Sequence, residues 1–529
     1  MSQFTRVTVA FLLGLSLRAQ PNILTTNYTN DRTNANVEET ILNPGNVSPE
    51  TFGKIGAFTV DGHVFSQPLY VTKVAINGGL KNVLYVATMH NSVYAFDADN
   101  PQSKEPLWQV NLGQPLPTSY YRRFADIENE IGILSTPVID PARLAIYVVT
   151  CNFVDEKPRF SLHALDLTDG SEKLGGSIEI KGSVPGSGDN GDGKNVFFDP
   201  IQHMQRPGLL LANNTIYVAF GSHNDQYPFH GWIAAYDAGN IQRQVKMFNS
   251  TPAGGYGAIW QSGRGLAADE AGNVYLATGN GDYDGKFNFS QSILKLSPSL
   301  GIIDWFTPEN WSQLSANDSD LSSQGPVLIP GTNHLLGGDK EGNLYALDRT
   351  NMGRLGPRQT APPQTLRPIQ FGGIFNMAIW PRSSYAQIYI TSEGDVTSQF
   401  TMKGGLVNPK STADSHTSGD SPFQGMAISA NGDKDGVFWI NFGDYSQEGT
   451  PAVFCALDAS DISLLLWCSN IYEDRDTPGR FAKFVAPTIV NGRVYLPTFS
   501  YEIVVYGLLP DPPLAELTRR PVRNRSLKR

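Results

Sequence analysis

Eight times along the chain a short lead-in centred on Pro or Gly precedes a β-rich hairpin, about every 60 residues. The lead-ins are SQPLYV (Ser66–Val71), STPVID (Ser135–Asp140), QRPGLLL (Gln205–Leu211) and GRGLAAD (Gly263–Asp269). They continue with QGPVLI (Gln324–Ile329), FNMAIW (Phe375–Trp380), FQGMAI (Phe423–Ile428) and APTIV (Ala486–Val490). Most are followed by an aromatic-centred strand such as VLYVAT (Val83–Thr88), and many by a third strand ending in Asp, such as VYAFDA (Val93–Ala98). Self-similarity at this period marks a repeat architecture, in which each unit buries its faces only against its neighbours. With 52 Gly and 35 Pro among 529 residues, the short β-rich runs are punctuated by turn clusters throughout, which argues all-β. The expected fold is an eight-bladed β-propeller of four-stranded antiparallel blades, with seven blades as the alternative.

The repeats occupy residues 61–508. Residues 21–60 are polar and end in the strand-like GAFTV (Gly56–Val60), which is expected to close the ring by completing the last blade. Residues 509–529 read as a Pro-rich, basic and disordered tail. Trp108, Trp305 and Trp467 each follow a repeat in LWQ, DWF and LWC and are expected to wedge between blades.

Residues 1–20 read as a signal peptide: Arg6 precedes the apolar run Val7–Leu17, and Ala19-Gln20 follows. That run is short for a bilayer span, and no other segment is long enough. The mature chain is therefore expected to be secreted or periplasmic, without a transmembrane segment, and monomeric. A net charge of −10 argues against general nucleic-acid binding. Three cysteines fit an oxidising compartment. Cys455 and Cys468 flank an apparent hairpin that turns near Asp458–Asp461, so a cross-strand disulfide is within reach; two buried thiols are the other reading. Cys151 reads as a core residue.

The AFDA repeat with a following LW resembles the pyrroloquinoline-quinone-type propellers of the quinoprotein alcohol dehydrogenase-like superfamily. Other landmarks are TFGKIGAFTVDGHVFSQPLYV, ENEIGILSTPVIDP, FGSHNDQYPFHGW, GAIWQSGRGLAADEAGNVYLATGNGDYDG and GGDKEGNLYALDR. The resemblance runs from Asn30 to Leu508 and implies an exported propeller of the PQQ-binding-like branch. The dehydrogenases of that superfamily carry a vicinal cysteine pair over the quinone. They also hold calcium against it with Glu, Asn and Asp, one Asp serving as base. This chain has no adjacent cysteines and no C-x-x-C-H haem motif, and the calcium set does not map onto particular residues.

The residue before the Pro-equivalent position of each lead-in should point near the axis. Gln67, Arg206, Arg264 and Asn376 are such central-channel ligand candidates, and Glu130 of ENEIG stands to neutralise an arginine. Two arginines in one channel suit a carboxylate or phosphate; an internal salt-bridge plug fastening the blades is the competing reading. FGSHNDQYPFHGW holds His223, Asp225 and His230, and its two histidines are candidates for metal or acid–base work against plain backbone bonding. Asp282 and Asp284 match the first half of a calcium loop, but Gln291 stands where a bidentate Glu belongs. Eight N-x-S/T triplets begin at Asn27, Asn46, Asn213, Asn249, Asn288, Asn310, Asn317 and Asn524.

Two functions follow as expectations. The first is an exported, non-catalytic propeller serving as a binding or scaffold module for a protein or a small anionic ligand. The alternative is a quinone- and calcium-dependent dehydrogenase of an alcohol or sugar. Calcium stays open as a cofactor, and pyrroloquinoline quinone is disfavoured.

Overall fold

Pro68, Pro137 and Pro326 each stand immediately before an innermost strand: Leu69–Ile76, Val138–Asp140 and Val327–Leu328. A proline there sets φ for an extended chain and withholds an N–H where no sheet partner lies. The second strand of a repeat is apolar on both faces. Val83, Leu84, Tyr85, Val86 and Ala87 are all buried, because a blade is covered by a neighbour on each side. Third strands such as Ser92–Asp97 end in an Asp whose side chain caps the following turn, as when Asp97 accepts from the Asp99 N–H at 3.2 Å.

The computed structural model describes residues 21–121, 127–223, 225–321, 323–355, 364–369, 372–392, 396–418, 423–444 and 451–510. Residues 1–20, where the signal peptide is expected, and most of the basic tail lie outside these. The repeats form eight antiparallel blades, at residues 69–111, 138–179, 210–249, 267–307, 327–366, 376–418, 425–468 and 488–508. The eighth blade takes its outermost strand from the N-terminal side: Phe52–Thr59 pairs antiparallel with Glu502–Leu508.

In several blades the tyrosine of the second strand joins one blade to the next. Tyr85 Oη donates to Leu167 O at 2.9 Å, Tyr147 to Ala238 O at 2.6 Å and Tyr217 to Pro298 O at 2.7 Å. Tyr495 closes the circle from the eighth blade to Ala98 O of the first, at 3.1 Å. Trp108 adds to the first joint: its Nε1 donates to Leu167 O at 3.0 Å, and its ring lies on Gly170, where a Cβ would come within 2.7 Å. Trp467 meets Phe52 and Tyr506 of the eighth blade, with centroids 5.1 and 5.3 Å apart. Trp305 packs against the core between the third and fourth blades, while its indole bonds Tyr283 of its own blade at 3.1 Å.

Residues 23–36 circle the axis against the innermost strands, a course not foreseen in the sequence. Ile23 bridges Tyr70 of the first blade, and Leu24 O accepts from Ile139 N of the second at 2.8 Å. Asn30 reaches the third and fourth blades: its Nδ2 donates to Leu211 O at 3.1 Å and its carbonyl accepts from Ala268 N at 3.0 Å. Asp31, Thr33 and Asn34 carbonyls then accept from Leu328, Ile379 and Ile428 at 2.9, 2.8 and 2.7 Å. Asn36 Nδ2 finishes on Ile489 O of the eighth blade at 3.0 Å. The inner edges of the sheets are thus capped by this segment along the bore.

Candidate functional site: an axial cavity

The lead-ins converge on the axis before the innermost strands run on to the N-terminal segment. Between them lies a cavity of about 360 Å³. It has two chemically different halves. The sixth, seventh and eighth blades present Phe375, Phe423 and Phe484, with successive ring centroids 5.6 and 4.6 Å apart. Trp260 of the fourth blade carries the aromatic wall on, 6.2 Å from Phe484. The rings meet at 84°, 43° and 82°, so they form a cup and not a slot of parallel planes.

The third to fifth blades supply the polar half. Lys340 Nζ lies 2.9 Å from Asp320 Oδ1 and 3.2 Å from Asp318 Oδ1, and 5.5 Å from the centroid of the Trp260 ring. The Trp260 indole donates to Asp320 Oδ2 at 3.0 Å. Burial opposes the lysine charge, yet Asp320 and Asp318 hold its amine above the ordinary value. Burial pushes the Asp225 carboxyl up, and the nearby Asp320 and Asp318 add to this against the Ser222 hydroxyl, which donates to it at 2.5 Å. Arg206 completes this half, donating to Ser262 Oγ at 2.9 Å. Behind the phenylalanines lies the buried Lys483, 5.7 Å from the Phe423 centroid; burial, then the Arg206 charge, pushes its amine down to about 6.

Of the residues singled out from sequence, Arg206 and Asp225 line this cavity. Gln67, Arg264 and Asn376 lie deeper and are engaged by the N-terminal segment. Gln67 Oε1 accepts from Asn27 N at 2.7 Å, Arg264 Nη1 donates to Asn376 Oδ1 at 2.8 Å, and Arg264 Nη2 donates to Arg32 O. The second arginine expected beside Arg206 is thus committed elsewhere, to neutral oxygens and not to a carboxylate. Glu130 faces neither arginine; both its oxygens lie 3.1 Å from His90 Nδ1.

Asp284 accepts from the N–H groups of Lys286, Phe287 and Asn288 at 2.7–2.9 Å, which makes it the organiser of its own turn. Asp282 accepts from Gly255 N at 2.9 Å, and Gln291 bonds Asn280 at 2.8 Å. Among the described residues no group of three His, Cys, Asp or Glu is placed to hold a metal ion. His230 uses both ring nitrogens, on Thr251 Oγ1 and Asp189 O, each at 2.8 Å. His223 lies with its ring centroid 3.4 Å from that of Tyr121, tilted at 32°, and burial, then the Arg206 charge, pushes it down to about 3. Cys455 and Cys468 are directly opposed on neighbouring strands, bonded as a disulfide with Cα atoms 4.1 Å apart; Cys151 is a buried free thiol.

Sequence reasoning missed Trp260, Asp318, Asp320, Lys340 and the three phenylalanines as one site. One signal was in view: a Phe stands at or just before the lead-in of three successive repeats. The acidic and basic partners carry no such mark: Asp318 and Asp320 come from the chain between the fourth and fifth blades, and Lys340 from the turn after the fifth blade's second strand.

No protein-family model matches the chain, and no curated protein matches it significantly. Solved structures do. The quinohemoprotein alcohol dehydrogenase of Comamonas testosteroni superposes with a TM-score of 0.61 at 16% identity, over 93% of this chain and 82% of that one. A quinohemoprotein alcohol dehydrogenase of Pseudomonas putida HK5 gives 0.59 at 15%, with the same coverage of 93% and 82%. Identity this low speaks for the fold alone, and on that ground the chain is an eight-bladed β-propeller that shares its fold with these two structures.

Proposed function

We propose that this protein is an exported, non-catalytic propeller that works as a binding module, and that its axial cavity receives a small organic molecule. The two-faced cavity carries this reading. An aromatic cup on one side and hydrogen-bonding groups on the other suit a ligand with one apolar face and one polar edge. Export rests on the character of residues 1–20. No helix among the described residues is long and apolar enough to cross a membrane.

Pyrroloquinoline quinone fits these residues poorly. It is a flat molecule bearing several carboxylates, whereas the rings here are tilted and the polar half holds Asp225, Asp318 and Asp320. Lys340 is shared between two of these aspartates, so on that edge three carboxylates face two cations, Lys340 and Arg206. The disulfide lies across the seventh blade and closes no ring of adjacent cysteines, and no metal-holding cluster stands in the cavity among the described residues. The dehydrogenase alternative keeps one support, the shared fold, and no redox step follows from the geometry.

Calorimetric titration of the purified chain against sugars, polyols, aromatic acids and pyrroloquinoline quinone with calcium tests the proposal. The expected result is stoichiometric binding of a class other than the quinone, weakened about tenfold by Phe423→Leu or Arg206→Gln. Stoichiometric quinone uptake with alcohol- or sugar-dependent dye reduction would overturn it.

A further inference from the structure

Below the cavity two arginines share the axis. Arg32 is 0% and Arg264 1% exposed. Arg32 donates through Nε to Leu266 O at 2.7 Å, and through Nη1 to Thr25 Oγ1 at 2.8 Å and Thr26 O at 2.7 Å. Arg264 donates through Nη1 to Asn376 Oδ1 at 2.8 Å and Met377 O at 3.0 Å, and through Nη2 to Arg32 O. Every one of these acceptors is neutral. No carboxylate lies within ion-pair distance of either guanidinium among the described residues. One N–H-bearing nitrogen of each, Arg32 Nη2 and Arg264 Nε, has no partner, and the same holds for the neighbouring donors Gln67 Nε2 and Thr26 Oγ1.

Two like charges in a low-dielectric interior, with leftover donors and no counter-charge, are costly for a fold to retain. Burial lowers the pKa of both guanidiniums to about 9, and the Arg264 charge adds to the effect at Arg32. The nearest acid, Asp31, is itself pushed up to about 6 by burial and lies close to Glu270 and Arg349 as well, so it compensates Arg32 only in part. Backbone packs tightly around the pair. A Cβ on Gly265 would lie 2.8 Å from Thr26 Cγ2 and 3.0 Å from Arg32 Cζ, which leaves no approach for a bulky acid.

We propose that a small inorganic anion of the halide class is bound between Arg32 and Arg264 as a resident part of the axis. It sits beneath the N-terminal segment, separate from the cavity ligand. The anion accepts from the unpartnered guanidinium nitrogens and supplies the missing negative charge. Its place was half-visible in sequence as the Arg264 channel position, but the second arginine comes from the N-terminal segment and not from Arg206.

Crystals of the full chain grown with bromide replacing chloride provide the test. The expected result is an anomalous bromide peak within hydrogen-bond distance of Arg32 Nη2 and Arg264 Nε. A refined water there, or bromide at surface positions only as an adventitious ion, overturns the proposal. In solution, melting temperature is followed against chloride at constant ionic strength, with gluconate as the balancing anion. A saturable rise in the wild type that is lost in Arg264→Gln supports the site. A flat response in the wild type, or the same rise in Arg264→Gln, overturns it. Should that variant not fold, the wild-type anomalous map decides alone.

Discussion

At the scale of single residues, the tyrosines of the second strands illustrate how one side chain serves the whole ring. Tyr85, Tyr147 and Tyr217 are buried in the joints between blades, and each hydroxyl finds a carbonyl on the next blade, whereas Tyr275 turns back to Asp269 of its own blade at 2.8 Å. Replacing Tyr147 by Phe leaves Ala238 O without that donor and is expected to cost about 1–2 kcal/mol, read from urea unfolding. His203 makes stability depend on pH. It lies 2.7 Å from Asp199 O through Nδ1 and accepts from His230 N at 3.1 Å through Nε2, so the folded state needs the neutral ring. Burial pushes it down to about 4, below its ordinary 6.5. The unfolded chain therefore binds this proton first, and stability is lost as pH falls from about 6.5 towards 4, by on the order of 3 kcal/mol. Asp31, raised by burial to about 6, acts with the opposite sign: its contribution is present below 3.8 and lost as pH rises through 6. The difference between wild type and His203→Gln in melting temperature across pH 4–7 isolates the histidine, and parallel profiles would contradict this assignment. Burial also sorts the N-x-S/T sites. Asn27, Asn249 and Asn288 are 0%, 5% and 7% exposed and cannot receive a glycan in the folded chain, whereas Asn213, Asn310 and Asn317 are exposed. Glycopeptide mapping after expression in a glycosylating host should find sugar only on accessible sites.

At the scale of elements, strand order and strand chemistry were legible because both are local. Alternation, turn residues and the terminal Asp act within a dozen residues. The disulfide belongs here too. It closes a separation of 13 residues between the third and fourth strands of the seventh blade, and removing it with Cys455→Ala and Cys468→Ala together is expected to cost about 2–4 kcal/mol. Thermal melting under oxidising and reducing conditions checks this: the two curves should differ for wild type and coincide for the double variant. Gly170 is the clearest element-level constraint. Its φ is +73° and the Trp108 ring lies where a side chain would go, so Gly170→Ala should destabilise the joint of the first two blades. The course of residues 23–36 was not legible. Their sequence is polar and without period, and their bonds are made one at a time to partners from Tyr70 to Ile489.

At the scale of the whole molecule, the ring is held by two N-terminal devices, the closing strand Phe52–Thr59 and the axial segment 23–36. Deleting residues 21–36 should lower the melting temperature and expose the axis, because the inner strands lose their hydrogen-bonded cap and Arg264 loses Arg32 O. Unchanged melting would show that the blades alone suffice. The sequence by itself determined the repeat, the all-β class and the antiparallel blade plan, and favoured eight blades over seven, since these follow from periodicity and turn chemistry repeated along one chain. It also placed Arg206 near the axis and set Cys455 against Cys468 across a short hairpin. Only the tertiary structure decided which residues share a site. Lys340 meets Asp318 and Asp320, Phe484 meets Trp260, and Arg32 meets Arg264 across 232 residues of chain. The physical reason is closure: a propeller brings one short stretch of every blade to a common axis, and which side chains face one another there depends on the rotation of each blade, a quantity no local pattern encodes.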